Sequence, residues 1–173
     1  ILYWLKQQGS TEAMLLHGPV ETIVEKIETR YRLVHIKETL RGMKIGVIGQ
    51  PSDWLIASGV DYEKAAQRWG ISIEDVPLQV LLDSRDSFSI SDVNRAMINF
   101  ADAAFKKDIS AADMQEAVRI YLALDKIVED YAFSGVTLRC FDLLSILKNT
   151  GCLALSRLND QGIPAGCEGD IPA

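Results

Sequence analysis

The stretch MKIGVIG, residues 43–49, decides the fold class. Its apolar residues form a short run bounded by glycine, which is typical of a strand buried in a parallel sheet. The run VTLRC, residues 136–140, has the same character. Further short runs predict strands at residues 13–17, 72–76 and 163–167. Because longer helical patterns separate these runs, the sequence predicts βα units that feed a parallel sheet.

Capping signals mark the helices between these strands. Proline near the start and glycine past the end bracket the first helix, and S-x-x-D patterns at Ser89 and Ser110 precede two more. Thr150 is expected to cap the last helix. The predicted fold is α/β with three layers: a doubly wound, mainly parallel five-stranded sheet of the Rossmann or flavodoxin type. The predicted helices run over residues 19–42, 62–70, 92–106, 111–131, 142–148 and 150–161.

Length and composition set the broad class. The chain has 173 residues, of which 48% are apolar and 24% charged, so it is globular and long enough to bury a sizeable core. A net charge of -6 argues against nucleic acid as a partner. No apolar run approaches the roughly 20 residues of a membrane span, so no membrane association is expected.

The first residues, ILYWLKQQG, lack an initiator methionine and a signal peptide. We expect residues 1–12 to be the tail of a preceding helix or domain, and residues 13–173 to be the middle α/β domain of a longer protein. The three cysteines are widely spaced within apolar segments, which is typical of reduced, buried thiols in a cytoplasmic protein. There is no CxxC pair, and this argues against a zinc site.

Three acids lie where predicted strands end. Asp142 follows the strand at 136–140 by two residues, and Glu168 and Asp170 come just past the strand at 163–167. If these strands are parallel neighbours, their ends lie about 5 Å apart, and carboxylates there could bind one divalent ion at about 2.0–2.6 Å. Acids after strands can equally be helix N-caps or solvated loop residues, and the pattern leaves both interpretations open.

The strand at MKIGVIG continues into QPSDW, residues 50–54. This is neither a G-x-G-x-x-G pattern nor a P-loop with its lysine. The segment nevertheless places backbone amides and a hydroxyl at the carboxyl edge of the sheet, where open α/β folds bind ligands. Ser52 is therefore a candidate substrate contact, ahead of Trp54.

Three stretches resemble the L-fucose isomerase family: GMKIGVIGQPSDWLIAS, GVTLRCFDLL and CLALSRLNDQGIPAGCEGDIPA. The last is the most specific, with a Leu-Asn-Asp-x-Gly-Ile-Pro turn, a strand, and then Cys-Glu-x-Asp. The resemblance covers most of the chain and implies the middle domain of a metal-dependent aldose–ketose isomerase. It also implies the partners: a monosaccharide, the N-terminal and C-terminal domains of the same longer chain, and further copies in a homo-oligomer.

The resemblance also implies a site. In that family a divalent ion, typically Mn²⁺, is held by an acid after a middle-domain strand, by the Asp of a Glu-x-Asp motif and by a histidine of the C-terminal domain. Here Asp170 would be the ligand of the motif, with Glu168 supporting it. Asp142 would be the other acid and the general base, although the family usually has Glu slightly later. The implied chemistry moves a proton between C1 and C2 of an open-chain sugar through an enediol.

Two other functions stay open. A relative could keep the isomerase fold and act as a non-catalytic sugar-binding or oligomerisation domain, and the departure at Asp142 favours that alternative. A stand-alone flavodoxin-like or response-regulator-like domain fits the βα pattern, but the first strand lacks the acid cluster of a phospho-acceptor site. Under the isomerase interpretation, the 173-residue chain alone is expected to be inactive.

Overall fold

The structure is a computed structural model that describes residues 1–9, 13–103 and 108–172; the side chains of residues 99 and 101–103 are outside the description. The chain forms two compact units, residues 1–40 and 41–173. The first unit contains helices α1 (Leu2–Gln7) and α2 (Val20–Leu40), and neither helix has a buried residue. The predicted domain division at residue 12 stays a prediction.

The second unit is built on a parallel sheet of four strands in the order β2-β1-β3-β4. The register pairs Ile48 of β1 with Leu138 of β3, and Leu138 with Cys167 of β4. All the pairings are parallel, so the carboxyl ends of the strands share one edge. The strands are β1 (Lys44–Ile48), β2 (Ser72–Val76), β3 (Gly135–Leu138) and β4 (Ala165–Cys167).

Six helices connect these strands in the ranges that the structure describes. Three of them have the predicted caps: the Ser89 and Ser110 side chains accept hydrogen bonds from the Asp92 and Asp113 amides, and Gly70 ends its helix in the left-handed conformation. The helices are α3 (Tyr62–Trp69), α4 (Leu78–Ser87), α5 (Ile90–Ala103), α6 (Ala111–Tyr131), α7 (Cys140–Leu147) and α8 (Cys152–Asp160).

The main core cluster lies on one face of the sheet. Alternate strand residues such as Ile48 and Val136 pack there against α6 and α8, whose Leu124 and Leu158 are fully buried. Helix α3 packs against β2 and is joined to it by a hydrogen bond from the Tyr62 hydroxyl to Asp75. The α/β fold with helices flanking a parallel sheet is therefore confirmed.

One of the five predicted strands, the one at residues 13–17, is wrong. Residues 13–17 are described and form no strand, because an apolar run becomes a strand only where a neighbouring strand accepts its hydrogen bonds. Helix α4 was not predicted. The last helix begins after Gly151 rather than at Thr150, and no side chain caps it. Residues 104–106 of the predicted helix 92–106 lie outside the described residues.

Across the described ranges, no helix combines the length and apolar character that crossing a bilayer requires.

Candidate functional site

The direction in which successive strands are added to the sheet reverses between β1 and β3. From β1 the chain passes to β2 on one side, and it later returns to β3 and β4 on the other. In open α/β sheets such a reversal opens a crevice at the carboxyl ends of the strands, where ligands bind. Three segments meet at this edge: residues 49–58 after β1, residues 139–142 after β3 and residues 168–172 after β4.

The segment after β1 is fixed by two buried serines. Ser58 donates a hydrogen bond to the carbonyl of Ser52 at 2.7 Å and to that of Leu55 at 3.0 Å. The hydroxyl of Ser52 donates in turn to the backbone carbonyl of Glu168. Since Ser52 and Ser58 are 3% and 2% exposed, these bonds join the loop after β1 rigidly to the turn after β4.

The turn after β4 consists of two residues with left-handed backbone. Glu168 has φ 62° and Gly169 has φ 66°. A Cβ atom on Gly169 would lie 2.5 Å from the carbonyl oxygen of Gln50, so only glycine lets the two backbones approach so closely. A non-glycine residue with positive φ is uncommon, and here it sets the direction of the Glu168 side chain.

Arg139 connects the segment after β3 to the loop after β1. One terminal guanidinium nitrogen donates to the Pro51 carbonyl at 3.1 Å and the other pairs with Asp53 at 2.9 Å, while Nε lies 3.0 Å from Asp142. Desolvation lowers the pKa of this guanidinium, but the hydrogen bonds and charges of Asp142 and Asp53 outweigh it, so the pKa is raised above its ordinary value.

Two exposed aromatic rings lie close together next to Arg139, which contacts the first of them, Trp54. The guanidinium carbon lies 5.6 Å from the centre of the Trp54 ring, and the Trp54 and Phe141 rings are 5.8 Å apart. Trp54 is 50% exposed and Phe141 is 52% exposed. The crevice thus combines an apolar surface with charged and hydrogen-bonding groups, which is the usual make-up of a small-molecule site.

A cluster of two thiols and a carboxylate lies where β3 and β4 end. One ligand atom from each of Cys140, Cys167 and Glu168 lies within 4.8 Å of the others, and this is the single group of three or more metal-ligand side chains found in the described ranges. The Cys167 thiol donates to one Glu168 oxygen at 3.3 Å, and the Gly151 amide donates to the Cys140 sulfur at 2.9 Å. The other Glu168 oxygen, Oε2, is buried and makes no hydrogen bond within the described structure.

Both thiols in this cluster have a pKa above the ordinary value. Burial raises the pKa of the Cys140 thiol to about 12, against the opposing hydrogen bond from Gly151. For Cys167, desolvation and then the hydrogen bond to Glu168 raise the pKa. Without a bound cation, the cluster therefore holds neutral thiols beside the carboxylate at neutral pH. Cys152 and Cys167 are exposed, so the prediction that all three cysteines are buried holds for Cys140 but is wrong for these two.

The predicted site residues are distributed over this edge. Asp142 lies in the first turn of α7, where Arg139 pairs with it, and Asp170 lies just after the left-handed turn that carries Glu168. Neither acid belongs to the three-residue cluster in the described part of the chain. The Ser52 hydroxyl binds the protein backbone. The metal and substrate roles of these four residues stay predictions.

Sequence reasoning missed Arg139 and the two thiols of the cluster. The signal was present in "RCF", residues 139–141, which directly follows β3, and in "CEGD", residues 167–170, which begins at the last residue of β4. What the pattern could not show is that Arg139 reaches back to the loop at residues 51–53, some 86 to 88 positions earlier.

The fold and the site define an α/β domain in which three segments meet at the carboxyl edge of a parallel sheet, where open α/β folds bind ligands. The sequence model of the family described as "L-arabinose isomerase central domain" matches residues 57–173. The chain belongs to this family. The match covers strands β2 to β4 and the segments after β3 and β4. Of the segment after β1 it covers residues 57 and 58.

A curated relative supports this assignment. The sulfoquinovose isomerase of Alkalicoccus urumqiensis is 24% identical over 178 aligned positions, which cover 96% of this chain and 38% of that protein. The chain therefore spans less than half the length of this relative. The prediction of a sugar isomerase family is confirmed, while L-fucose isomerase in particular stays a prediction.

Proposed function

We propose that this chain is the central domain of a longer, cytoplasmic aldose–ketose isomerase, and that its crevice binds an open-chain monosaccharide next to a divalent cation such as Mn²⁺. The observation that supports this most directly is the Glu168 carboxylate at the switch point of the sheet. Its Oε2 atom is buried without a hydrogen-bond partner in the described structure, and a buried, unpaired carboxylate oxygen is costly unless a ligand satisfies it.

The carboxylates of this chain would supply some of the ligands of a hard cation. Carboxylate oxygens are the ligands that Mg²⁺ and Mn²⁺ prefer, and Glu168 and Asp170 would supply them from one turn. The support role first expected for Glu168 is thus extended to that of a ligand. When bound, the ion supplies Lewis-acid polarisation of the sugar oxygens. The remaining ligands would come from other domains of the longer chain, in which further copies would form a homo-oligomer.

The residues of this chain would bind and orient the sugar. The exposed rings of Trp54 and Phe141 offer an apolar surface for the sugar's carbon atoms, and Arg139, whose guanidinium lies over the Trp54 ring, offers hydrogen bonds. Asp142 is the candidate general base for the proton that moves between C1 and C2. Its pairing with Arg139 at 3.0 Å orients the carboxylate, while its 41% exposed side chain stays accessible to a substrate.

The same pairing favours a second candidate function. The guanidinium of Arg139 occupies the Asp142 carboxylate at 3.0 Å, so a sugar must displace Arg139 before Asp142 can take up its proton. If the sugar does not displace Arg139, the domain would bind sugar or support oligomerisation without catalysis. The two candidates differ in one measurement, which is turnover by the longer protein.

The decisive experiment tests the longer protein, loaded with Mn²⁺, against a panel of aldoses that includes L-arabinose, L-fucose and sulfoquinovose. We expect isomerisation of at least one sugar, and its metal-dependent part should be lost in the Glu168→Gln and Asp170→Asn variants. The exposed Asp160 at the end of α8 provides the control: Asp160→Asn should retain activity. Binding of a sugar without turnover would select the second candidate. The isolated 173-residue chain should show no turnover, and turnover by this chain would refute the proposed division of the site.

A further inference from the structure

We infer that Cys140, Cys167 and Glu168 form a binding site for a thiophilic divalent cation of the Zn²⁺ or Cd²⁺ class. Two thiolates and one carboxylate are a ligand set that such ions bind, with the fourth position left for water. The inference concerns binding by this chain alone, and it shares Glu168 with the Mn²⁺ site proposed above, so the two ions would compete for this carboxylate. It also differs in its chemistry from the oxygen-ligated cation proposed above.

The distances suit this class of ion. The three ligand atoms lie within 4.8 Å of one another. In a tetrahedral zinc site with Zn–S bonds of about 2.3 Å, the ligand atoms are roughly 3.5–3.8 Å apart. A contraction of about 1 Å, within reach of side-chain rotation, would therefore complete three of the four bonds.

The surroundings hold the ligands in place. The Gly151 amide donates to the Cys140 sulfur at 2.9 Å, and a donor of this kind stabilises the negative charge of a bound thiolate. A Cβ atom at Gly151 would lie 2.3 Å from a Leu138 methyl carbon and 3.3 Å from the Cys140 sulfur. The absence of a side chain there is therefore what lets the amide approach the thiol.

The third ligand is equally constrained. Glu168 is directed by its left-handed backbone and by the hydrogen bond that its carbonyl accepts from Ser52. Its Oε1 atom already accepts from the Cys167 thiol at 3.3 Å, and its Oε2 atom has no partner in the described chain. Replacing the thiol proton by a cation would satisfy this carboxylate and both sulfurs together.

The spacing of the cysteines hid this site. Cys140 and Cys167 are 27 positions apart, so they form no CxxC motif. The parallel pairing of β3 with β4, in which Leu138 is opposite Cys167, brings them together. Cys140 is 1% exposed and Cys167 is at the surface, so an ion would enter from the Cys167 side.

Binding is balanced by proton release. One M²⁺ ion displaces one proton from each of the two thiols, so M²⁺ and two R–SH groups give the dithiolate complex and two H⁺, and nothing is oxidised or reduced. With Glu168 bound as a carboxylate, the charges of the ion and its three ligands sum to about -1. Proton release therefore serves as a second, independent measurement.

The test is titration of the reduced 173-residue chain with Cd²⁺ and with Co²⁺. We expect one bound ion per chain, a thiolate-to-metal charge-transfer band, and release of about two protons per ion in weakly buffered solution. Mn²⁺ at equal concentration should not displace Cd²⁺. Displacement by Mn²⁺, or binding without a thiolate band, would overturn the inference.

Variants separate the ligands from the third cysteine. Cys167→Ser and Cys140→Ala should each weaken binding by more than the roughly 10–100-fold that loss of an outer hydrogen-bond partner costs. Glu168→Gln should weaken binding but keep the thiolate band. Cys152→Ser is the matched control and should bind like the parent chain. If Cys152→Ser loses the band, or if the surface variant Cys167→Ser keeps full affinity, the assignment is wrong. Cys167→Ser alone tests the site should the buried Cys140→Ala variant fail to fold.

Discussion

Replacing Gly169 with alanine tests how closely the turn after β4 must approach the loop after β1. Two costs are expected. Alanine at φ 66° costs about 1–2 kcal/mol for the left-handed backbone. Its Cβ would also lie 2.5 Å from the Gln50 carbonyl oxygen and 3.0 Å from the Pro51 Cα, and backbone atoms cannot rotate away, so about 1–3 kcal/mol is added. The sum, roughly 2–5 kcal/mol, is a large part of the 5–15 kcal/mol that stabilises a domain.

Gly162 is the matched control. Its φ is 82°, and an added Cβ would meet nothing within 4 Å. Gly162→Ala should therefore cost only the free energy of placing alanine in the left-handed conformation. Alanine also lowers the entropy of the unfolded chain, and this affects both variants alike. The difference between the two variants isolates the close approach.

Hydrogen exchange is the suitable assay, because the chain has two compact units. The slowest amides of β1 and β3 report the unfolding free energy of the second unit alone. Gly169→Ala should lower that free energy by about 1–3 kcal/mol more than Gly162→Ala does. Equal losses, within about 0.5 kcal/mol, would refute the argument that contact with Gln50 and Pro51 requires glycine.

Three further variants test individual contacts. Arg139→Met removes the hydrogen bond to the Pro51 carbonyl and two partly exposed ion pairs, and it should destabilise the second unit by about 1–2 kcal/mol in denaturant unfolding. Tyr62→Phe removes the 2.7 Å hydrogen bond to Asp75 that joins α3 to β2, and about 0.5–1.5 kcal/mol should be lost in the same assay. Asp125→Asn should stabilise the protein at pH 7, because burial and then the charge of Glu129 raise the pKa of Asp125 in the folded state. The stability that protonated Asp125 contributes is complete below its ordinary pKa of 3.8 and is lost as the pH rises through the folded value, so the advantage of asparagine should disappear in acid.

Each of these variants has an outcome that contradicts its reasoning. Unchanged stability in Arg139→Met would mean that the loop after β1 is held by the serine bonds alone. An unaltered unfolding midpoint in Tyr62→Phe would mean that solvent replaces the hydroxyl's partner at no cost. For Asp125→Asn, a benefit that persists below pH 3.8 would show that its origin is not the ionised carboxylate.

Much of the fold followed from local patterns. Strand β2 and helix α6 have the predicted bounds, and β1 lies within the quoted stretch at residues 43–49, because short runs bounded by glycine or proline and an S-x-x-D cap are signals within a few residues. Helix α4 escaped prediction since its N-cap, Pro77, makes no side-chain capping bond. The run at residues 13–17 failed for a different reason, which is that a strand also depends on a partner distant in sequence.

The candidate site was predictable in position but not in its contacts. The βα order indicated that acids would lie at the ends of β3 and β4, and the condition that these strands be parallel neighbours is met in the structure. The pairing of Asp142 with Arg139 and the convergence of Cys140 with Cys167 depend on side-chain directions that sequence spacing does not encode. Nor could the pattern reveal that the Ser52 hydroxyl is buried on the Glu168 carbonyl.

The two outer strands of the sheet bear on aggregation. Unpaired strand edges invite intermolecular pairing, and proteins counter this with charges, proline or very short edge strands. On one side β2 carries Glu74 and Asp75, and Glu74 forms an ion pair with Lys44 at 2.6 Å. On the other side β4 has three residues and directly follows Pro164, which cannot donate a backbone hydrogen bond. A second copy of this domain would therefore gain little by adding strands at either edge, so contacts between copies would have to come from surfaces other than the sheet.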